Sequence, residues 1–284
     1  MTSILGILRD RKFSPHSNDL SIMQAVAEVL QRAGRTVRLT EESDIQDGDA
    51  HVSAVFSMAR SRQALQRLMQ WQQKHGTTVI NPSQGVMNCG RMEAYEILSQ
   101  QGIPIAPYTE IPTQGQLPKG LSYPCWLKRA DASSQEQDDV AFVEDAIQLE
   151  QHVQQMQARG IGRMVACKHV AGDLIKFYGV AGTPFFHWYY PTADSQGHSK
   201  FGWERHNGKI HRFSFDTEAL HGMADRAARA TQCPVYGGDC IADGNGVLHI
   251  IDFNDWPSFR PCIEPAAQAI ASLILHKTEK TWTS

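Results

Sequence analysis

The segment that most restricts the fold runs from Gly238-Asp239-Cys240 to Ile251-Asp252-Phe253-Asn254-Asp255-Trp256-Pro257. Val247-Leu248-His249-Ile250-Ile251 is strand-like and Asp243-Gly244-Asn245-Gly246 is a tight-turn sequence, so a β-hairpin is expected. The hairpin sets Asp239 and Asp252 on adjacent antiparallel strands. Asp252 and Asn254 lie two apart, and strand alternation turns both side chains to one face. Hard oxygen donors grouped in this way suit Mg²⁺, with Mn²⁺ as the alternative ion. Mg²⁺ takes one or two carboxylates and completes its shell with water and substrate phosphates. The set points to a nucleoside triphosphate site, where the plainer reading is a pair of solvated acids beside a turn.

A chain of 284 residues fits two or three modules of roughly 100 residues each. Its net charge of -3 and pI near 6.4 argue against nucleic-acid binding through phosphate attraction. The six cysteines, Cys89, Cys125, Cys167, Cys233, Cys240 and Cys262, show no metal-binding or disulfide spacing and read as reduced, mostly buried thiols. Met1 to Leu8 is apolar but too short for a signal peptide or a membrane span, and no basic region precedes it. A soluble cytoplasmic protein without a membrane partner is expected; a homodimer is left open.

Ile4 to Leu8 reads as a buried strand, and Asp19 to Ala33 as an amphipathic helix stopped by Gly34. Strands at Thr36–Leu39, Val52–Phe56 and Thr78–Ile80, with a helix over Ser61–Lys74, continue the alternation. This order predicts a parallel α/β domain over residues 1–80. The loop Arg9 to Ser17 leaves a strand's carboxyl end, where open α/β sheets bind ligands, although an ordinary solvated loop is the plainer account of it. A helix from Gly90 to Gln101 follows, then strands near Ala106–Ile111 and Pro124–Arg129 and a helix near Asp145–Gln157. Together they give a central α+β subdomain over residues 81–162. From Arg163 the strand candidates Met164–Val170, Leu174–Val180 and Pro184–Tyr190 are consecutive, so residues 163–284 are expected to form a carboxy-terminal subdomain with an antiparallel sheet.

Taken in order, these segments resemble the ATP-grasp superfamily over nearly the whole chain. Asn81-Pro82, Arg91 and Gly102-Ile103-Pro104-Ile105-Ala106-Pro107 are similar to the family's connector, helix and following strand. Tyr123-Pro124-Cys125-Trp126-Leu127-Lys128 resembles the strand whose lysine binds ATP phosphate oxygens. Met164 to Asp173 resembles the interdomain hinge whose backbone receives adenine. Asp239, Asp252 and Asn254 match the family's metal ligands, with aspartate in place of the usual glutamate. The likeness implies ATP and a divalent cation as cofactors. It assigns Arg91, Lys128 and Lys176 to phosphate, the backbone of Lys168 and Val170 to adenine, and Asp173 to ribose. There are departures. Arg91 stands where a lysine is usual, Ala130 to Asp139 contains no glycine where backbone N–H groups would wrap phosphate, and Gly237 stands where D-alanine:D-alanine ligases carry an arginine.

Lys128 has a bottom-up argument of its own, since an ammonium in an apolar strand is costly to bury without a task. Lys176 and Arg91 also read as solvent-facing residues, and Phe185 to Tyr190 reads as core with His187 packed in it. Lys200 to Arg212 is the densest cationic segment, from which Arg205 and Arg212 are candidates to face the acceptor substrate. Ser258 and Arg260 follow the metal strand and are further catalytic candidates. The resemblance implies carboxylate-amine ligation through an acylphosphate, with a small-molecule or peptide carboxylate and an amine as partners. The alternatives are a small-molecule kinase like the inositol polyphosphate kinases of the same fold, and a degenerate ATP-binding module.

Overall fold

The computed structural model describes residues 3–10, 19–112, 116–131, 134, 136–191 and 206–280. Its first sheet is built from β1 (Ser3–Leu8), β2 (Thr36–Glu41), β3 (Ala54–Ser57) and β4 (Thr78–Ile80) in the order β2-β1-β3-β4, every neighbour parallel. The expected alternation of strand and helix is therefore realised. Ile22, Met23, Val26 and Leu30 recur at helical spacing and bury the inner face of α1 (Asp19–Arg32). Ser61 caps α2 (Arg62–His75) by accepting the Ala64 N–H, and Leu65, Leu68 and Trp71 carry its buried face.

The second sheet joins β5 (Tyr108–Ile111), β6 (Cys125–Arg129), β7 (Val140–Val143) and β8 (Met164–Lys168) in the order β5-β8-β6-β7, backed by α5 (Ala146–Ala158). The third joins β9 (Asp173–Val180), β10 (Phe186–Tyr189), β11 (Val235–Ala242) and β12 (Leu248–Asp255) in the order β10-β9-β11-β12. Both are antiparallel. The hairpin expected around Asp243-Gly244-Asn245-Gly246 is β11–β12.

Sheet membership departs from the sequence-based expectation at one strand. Met164–Lys168 does not open the last sheet but pairs with β5 and β6 in the central one, and the chain changes sheets over residues 169–172. Gly172 makes the crossing at φ +156°, where a β-carbon would meet the Ala242 carbonyl oxygen at 2.3 Å.

The connector helices α3 (Ser83–Asn88) and α4 (Arg91–Gln100) are fastened to the last sheet rather than left as a linker. The Asn81 side chain donates to the Val235 carbonyl at 2.7 Å and accepts the Val235 N–H at 2.8 Å. Phe177, Tyr236 and Phe253 fill the core between this sheet and α6 (Thr217–Thr231), each worth about 2–3 kcal/mol of apolar burial. α7 (Ile263–Lys280) returns to pack against α1, so both ends of the described chain share one core. All of the cysteines are free and buried, as expected. Among the described residues no helix is long and apolar enough to cross a membrane.

Candidate functional site

The two antiparallel sheets and α4 enclose a cavity of about 660 Å³. Register builds its charged wall. Lys176 on β9 is paired with Asp239 on β11, and Asp239 with Asp252 on β12, so a cation and two carboxylates form a row across adjacent strands. Asn254 lies two residues beyond Asp252, and its amide donates to the Asp252 carboxylate at 3.0 Å. The pairing shifts by one residue between Asp239 and Cys240, which leaves Ile251 as an extra residue on β12. The bulge lets Ile250 and Phe253 both face the core while Asp252 and Asn254 face the cavity. The Ile251 carbonyl accepts hydrogen bonds from the Lys128 ammonium at 3.1 Å and from the Tyr95 hydroxyl at 2.9 Å.

Lys128 reaches this row from the central sheet and Arg91 from the first turn of α4. The Arg91 guanidinium contacts Asp252 at 3.3 Å, the Arg129 carbonyl at 3.0 Å and the Ser134 hydroxyl at 3.4 Å. Lys176 donates to both oxygens of Asp239, at 3.0 and 3.3 Å. Burial alone would raise the Asp252 pKa, but Arg91 above all, then Lys128, the Asn254 amide and Lys176, outweigh it and hold the carboxyl below the usual carboxylate range. Burial also opposes the Arg91 charge, and Asp252 together with Tyr95 and Cys167 overcomes it. For Lys128 burial is the largest influence and draws the ammonium below the ordinary lysine value. A wall of this kind keeps fixed positive charge ready for an anion that arrives with its own counter-ion.

The opposite end of the cavity differs in character. Trp126 lies two residues before Lys128, on the same strand face, and donates its indole N–H to His169 Nδ1 at 3.1 Å. Phe142 stacks on His206 with ring centroids 4.8 Å apart, beside Trp126. Val170, Leu174 and Ile241 complete an apolar slot. The Lys168 N–H is spent on the Pro107 carbonyl at 2.8 Å, which removes it as a donor to a base. No hydrogen bond engages the Val170 N–H among the described residues.

Of the residues expected from sequence, the cavity wall brings together Arg91, Lys128, Lys168, Val170, Lys176, Asp239, Asp252 and Asn254. Asp173 is not among them. It is 1% exposed, and its carboxylate accepts the backbone N–H groups of His211 at 2.6 Å and Phe213 at 2.7 Å, so it organises a loop and does not stand ready for ribose. Arg212 is exposed, with φ +57°, and Arg260 is exposed; neither lines the cavity, nor does the half-buried Ser258. Arg205 lies outside the described residues. Sequence reasoning passed over Tyr95, Trp126, Arg60 and Asn207. Only Trp126 had a local signal, its even spacing from Lys128. At Gly237 a β-carbon would meet Pro257 at 2.7 Å and Tyr178 at 3.1 Å, so those residues close the place that an arginine would need.

The donor set fits a hard cation in chemistry, being oxygen throughout. Among the described residues no group of three or more His, Cys, Asp or Glu side chains could hold a metal, so any such ion would rest on two carboxylates and an amide.

No protein-family model matches the sequence, and no curated protein matches it either. Solved structures do. The D-alanine–D-alanine ligase from Bacillus anthracis complexed with ATP superposes with a TM-score of 0.68 at 11% identity, over 99% of this chain and 98% of that one. A RimK domain ATP-grasp protein from Sphaerobacter thermophilus gives 0.65 at 15% identity, over 96% and 99%. The ATP-grasp ligase PsnB, complexed with a minimal precursor, gives 0.62 at 12%, over 97% and 99%. The chain has the ATP-grasp fold.

Proposed function

We propose that the protein is an ATP-dependent carboxylate-amine ligase. The observation that carries this reading is the convergence of Arg91, Lys128 and Lys176 on Asp239, Asp252 and Asn254 inside one cavity whose other end is an apolar slot. The base of ATP is assigned to that slot, against Trp126, Leu174 and Ile241, with the Val170 N–H as donor. Its phosphates then extend toward Lys128 and Arg91. Asp239, Asp252 and Asn254 would hold Mg²⁺, or Mn²⁺, which supplies charge neutralisation at the phosphates when bound. Lys128, Arg91 and Lys176 hold phosphate oxygens and stabilise charge as it moves to the leaving ADP.

A substrate carboxylate oxygen attacks the γ-phosphorus and the bond to ADP breaks, giving an acylphosphate. An amine nitrogen then attacks the acyl carbon, loses a proton, and inorganic phosphate departs. Little covalent help is needed from the protein in the first step, which suits a wall of cations without a nucleophile. D-alanine–D-alanine ligation is not part of the proposal, because Pro257 and Tyr178 leave no room for a side chain at Gly237. From the described end of the basic segment the cavity receives Asn207 and no cation, so nothing there favours a polyphosphate-binding kinase. A cytoplasmic location agrees with the reduced cysteines.

Incubation with ATP, Mg²⁺, mixed carboxylic acids and mixed amines, followed by mass analysis, tests the reading. Amide together with free phosphate is expected. A phosphorylated alcohol, or no ADP under any condition, contradicts it.

A further inference from the structure

Beyond the charged row, on the side away from the apolar slot, the cavity continues between the amino-terminal domain and the connector. Its walls there are Leu65 from α2 and Val86, Met87 and Cys89 around α3, with Arg60 in the loop between β3 and α2. Leu65, Val86 and Cys89 are buried, while Met87 is 40% exposed, an unusual value for a large apolar side chain. Arg60 does not make this end cationic. It forms an ion pair with Asp255, whose side chain is 0% exposed, so the two charges cancel at the floor of the compartment. Cys89 and Gly90 lead directly into Arg91, so the compartment adjoins the cations assigned to the phosphates.

We infer that this compartment is the acceptor site of the proposed ligase and that it selects a carboxylic acid whose side chain is apolar and uncharged. The inference rests on the ligase reading, which fixes the direction in which ATP lies. The acid's carboxylate meets the charged row, and its side chain enters between Leu65, Val86 and Met87. A charged side chain would give up its hydration there beside an Arg60–Asp255 pair that is already balanced, whereas an aliphatic or thioether chain gains apolar contact. Pockets of this chemistry separate substrates that differ by one methylene about 10- to 200-fold.

The test uses hydroxylamine as the amine, which converts an acylphosphate to a hydroxamate with release of phosphate. Full-length protein, ATP and Mg²⁺ are given leucine, methionine, phenylalanine or 4-methylpentanoate in one series, and aspartate, glutamate or lysine in another. Hydroxamate formation per unit acid should favour the apolar series at least about tenfold. Met87→Trp, at a partly exposed position, should remove that advantage, Met87→Leu should keep it, and calorimetric affinity for a non-hydrolysable MgATP analogue should stay within about twofold in both. Equal or better use of charged acids, no response to any acid, or an unchanged preference in Met87→Trp overturns the inference while analogue binding stands. Failure of the wild type to bind the analogue instead overturns the ligase reading on which it rests.

Discussion

Asp173 and Asp252 stand in the same antiparallel sheet, and what surrounds each decides what it does. Asp173 is sealed from solvent and gives both carboxylate oxygens to the backbone of His211 and Phe213. Asp252 keeps an open side toward the cavity, its side chain 30% exposed, and is surrounded by side-chain cations from α4, β6 and β9. A carboxylate satisfied by backbone amides fixes chain geometry. A carboxylate that shares cations from separate elements forms a site whose charges can be redistributed when a ligand enters.

Removing each group in turn separates the two roles. Asp173→Ala removes the shared acceptor of two part-buried N–H donors and should cost about 2 kcal/mol in urea unfolding, while MgATP affinity at a temperature where it is folded is unchanged. A loss of affinity without a loss of stability would reverse the roles. Asp252→Asn should do the opposite, lowering ATP-dependent turnover by about 100-fold or more in steady-state kinetics with a smaller effect on unfolding. Lys128→Met removes a charge that burial already disfavours, so stability should hold or rise while nucleotide affinity falls about tenfold, read by calorimetry.

The smallest effect is expected at His169. Burial, with His206 nearby, lowers its pKa from the ordinary 6.5, so the unfolded chain takes up a proton first as pH falls. Stability is therefore constant above that value, declines as pH falls toward the folded-state pKa, and levels off below it. The neutral ring also accepts the Trp126 indole N–H, a bond that protonation of Nδ1 destroys. Melting curves at pH 7.5 and 5.5 should show a decline that His169→Gln reduces; an identical decline in the variant would assign it elsewhere.

The sequence carried the fold further than it carried the site. Periodicity and turn chemistry are local, so the parallel sheet of β1 to β4 and the β11–β12 hairpin could be read directly. Met164–Lys168 shows why sheet membership could not: its apolar pattern suits either antiparallel sheet, and only the crossing at Gly172 decides. At the site, Lys128 announced itself as a charge in an apolar strand, and Asp252 with Asn254 through even spacing. Asp173 looked the same in sequence whether it faced a nucleotide or a loop. Arg60 and Asn207 reach the cavity from loops far apart in the chain, and the bulge at Ile251 depends on register across strands. None of these has a local signature.

The central claim is that Asp239, Asp252 and Asn254 anchor a divalent ion against ATP held by Arg91, Lys128 and Lys176. Calorimetric titration of ATP with and without Mg²⁺, into the wild type and an Asp252→Ala, Asn254→Ala variant whose folding is verified by circular dichroism, measures it directly. The account predicts binding in the wild type that strengthens with Mg²⁺ and a variant in which that gain disappears. An unchanged response to Mg²⁺ in the variant would contradict it.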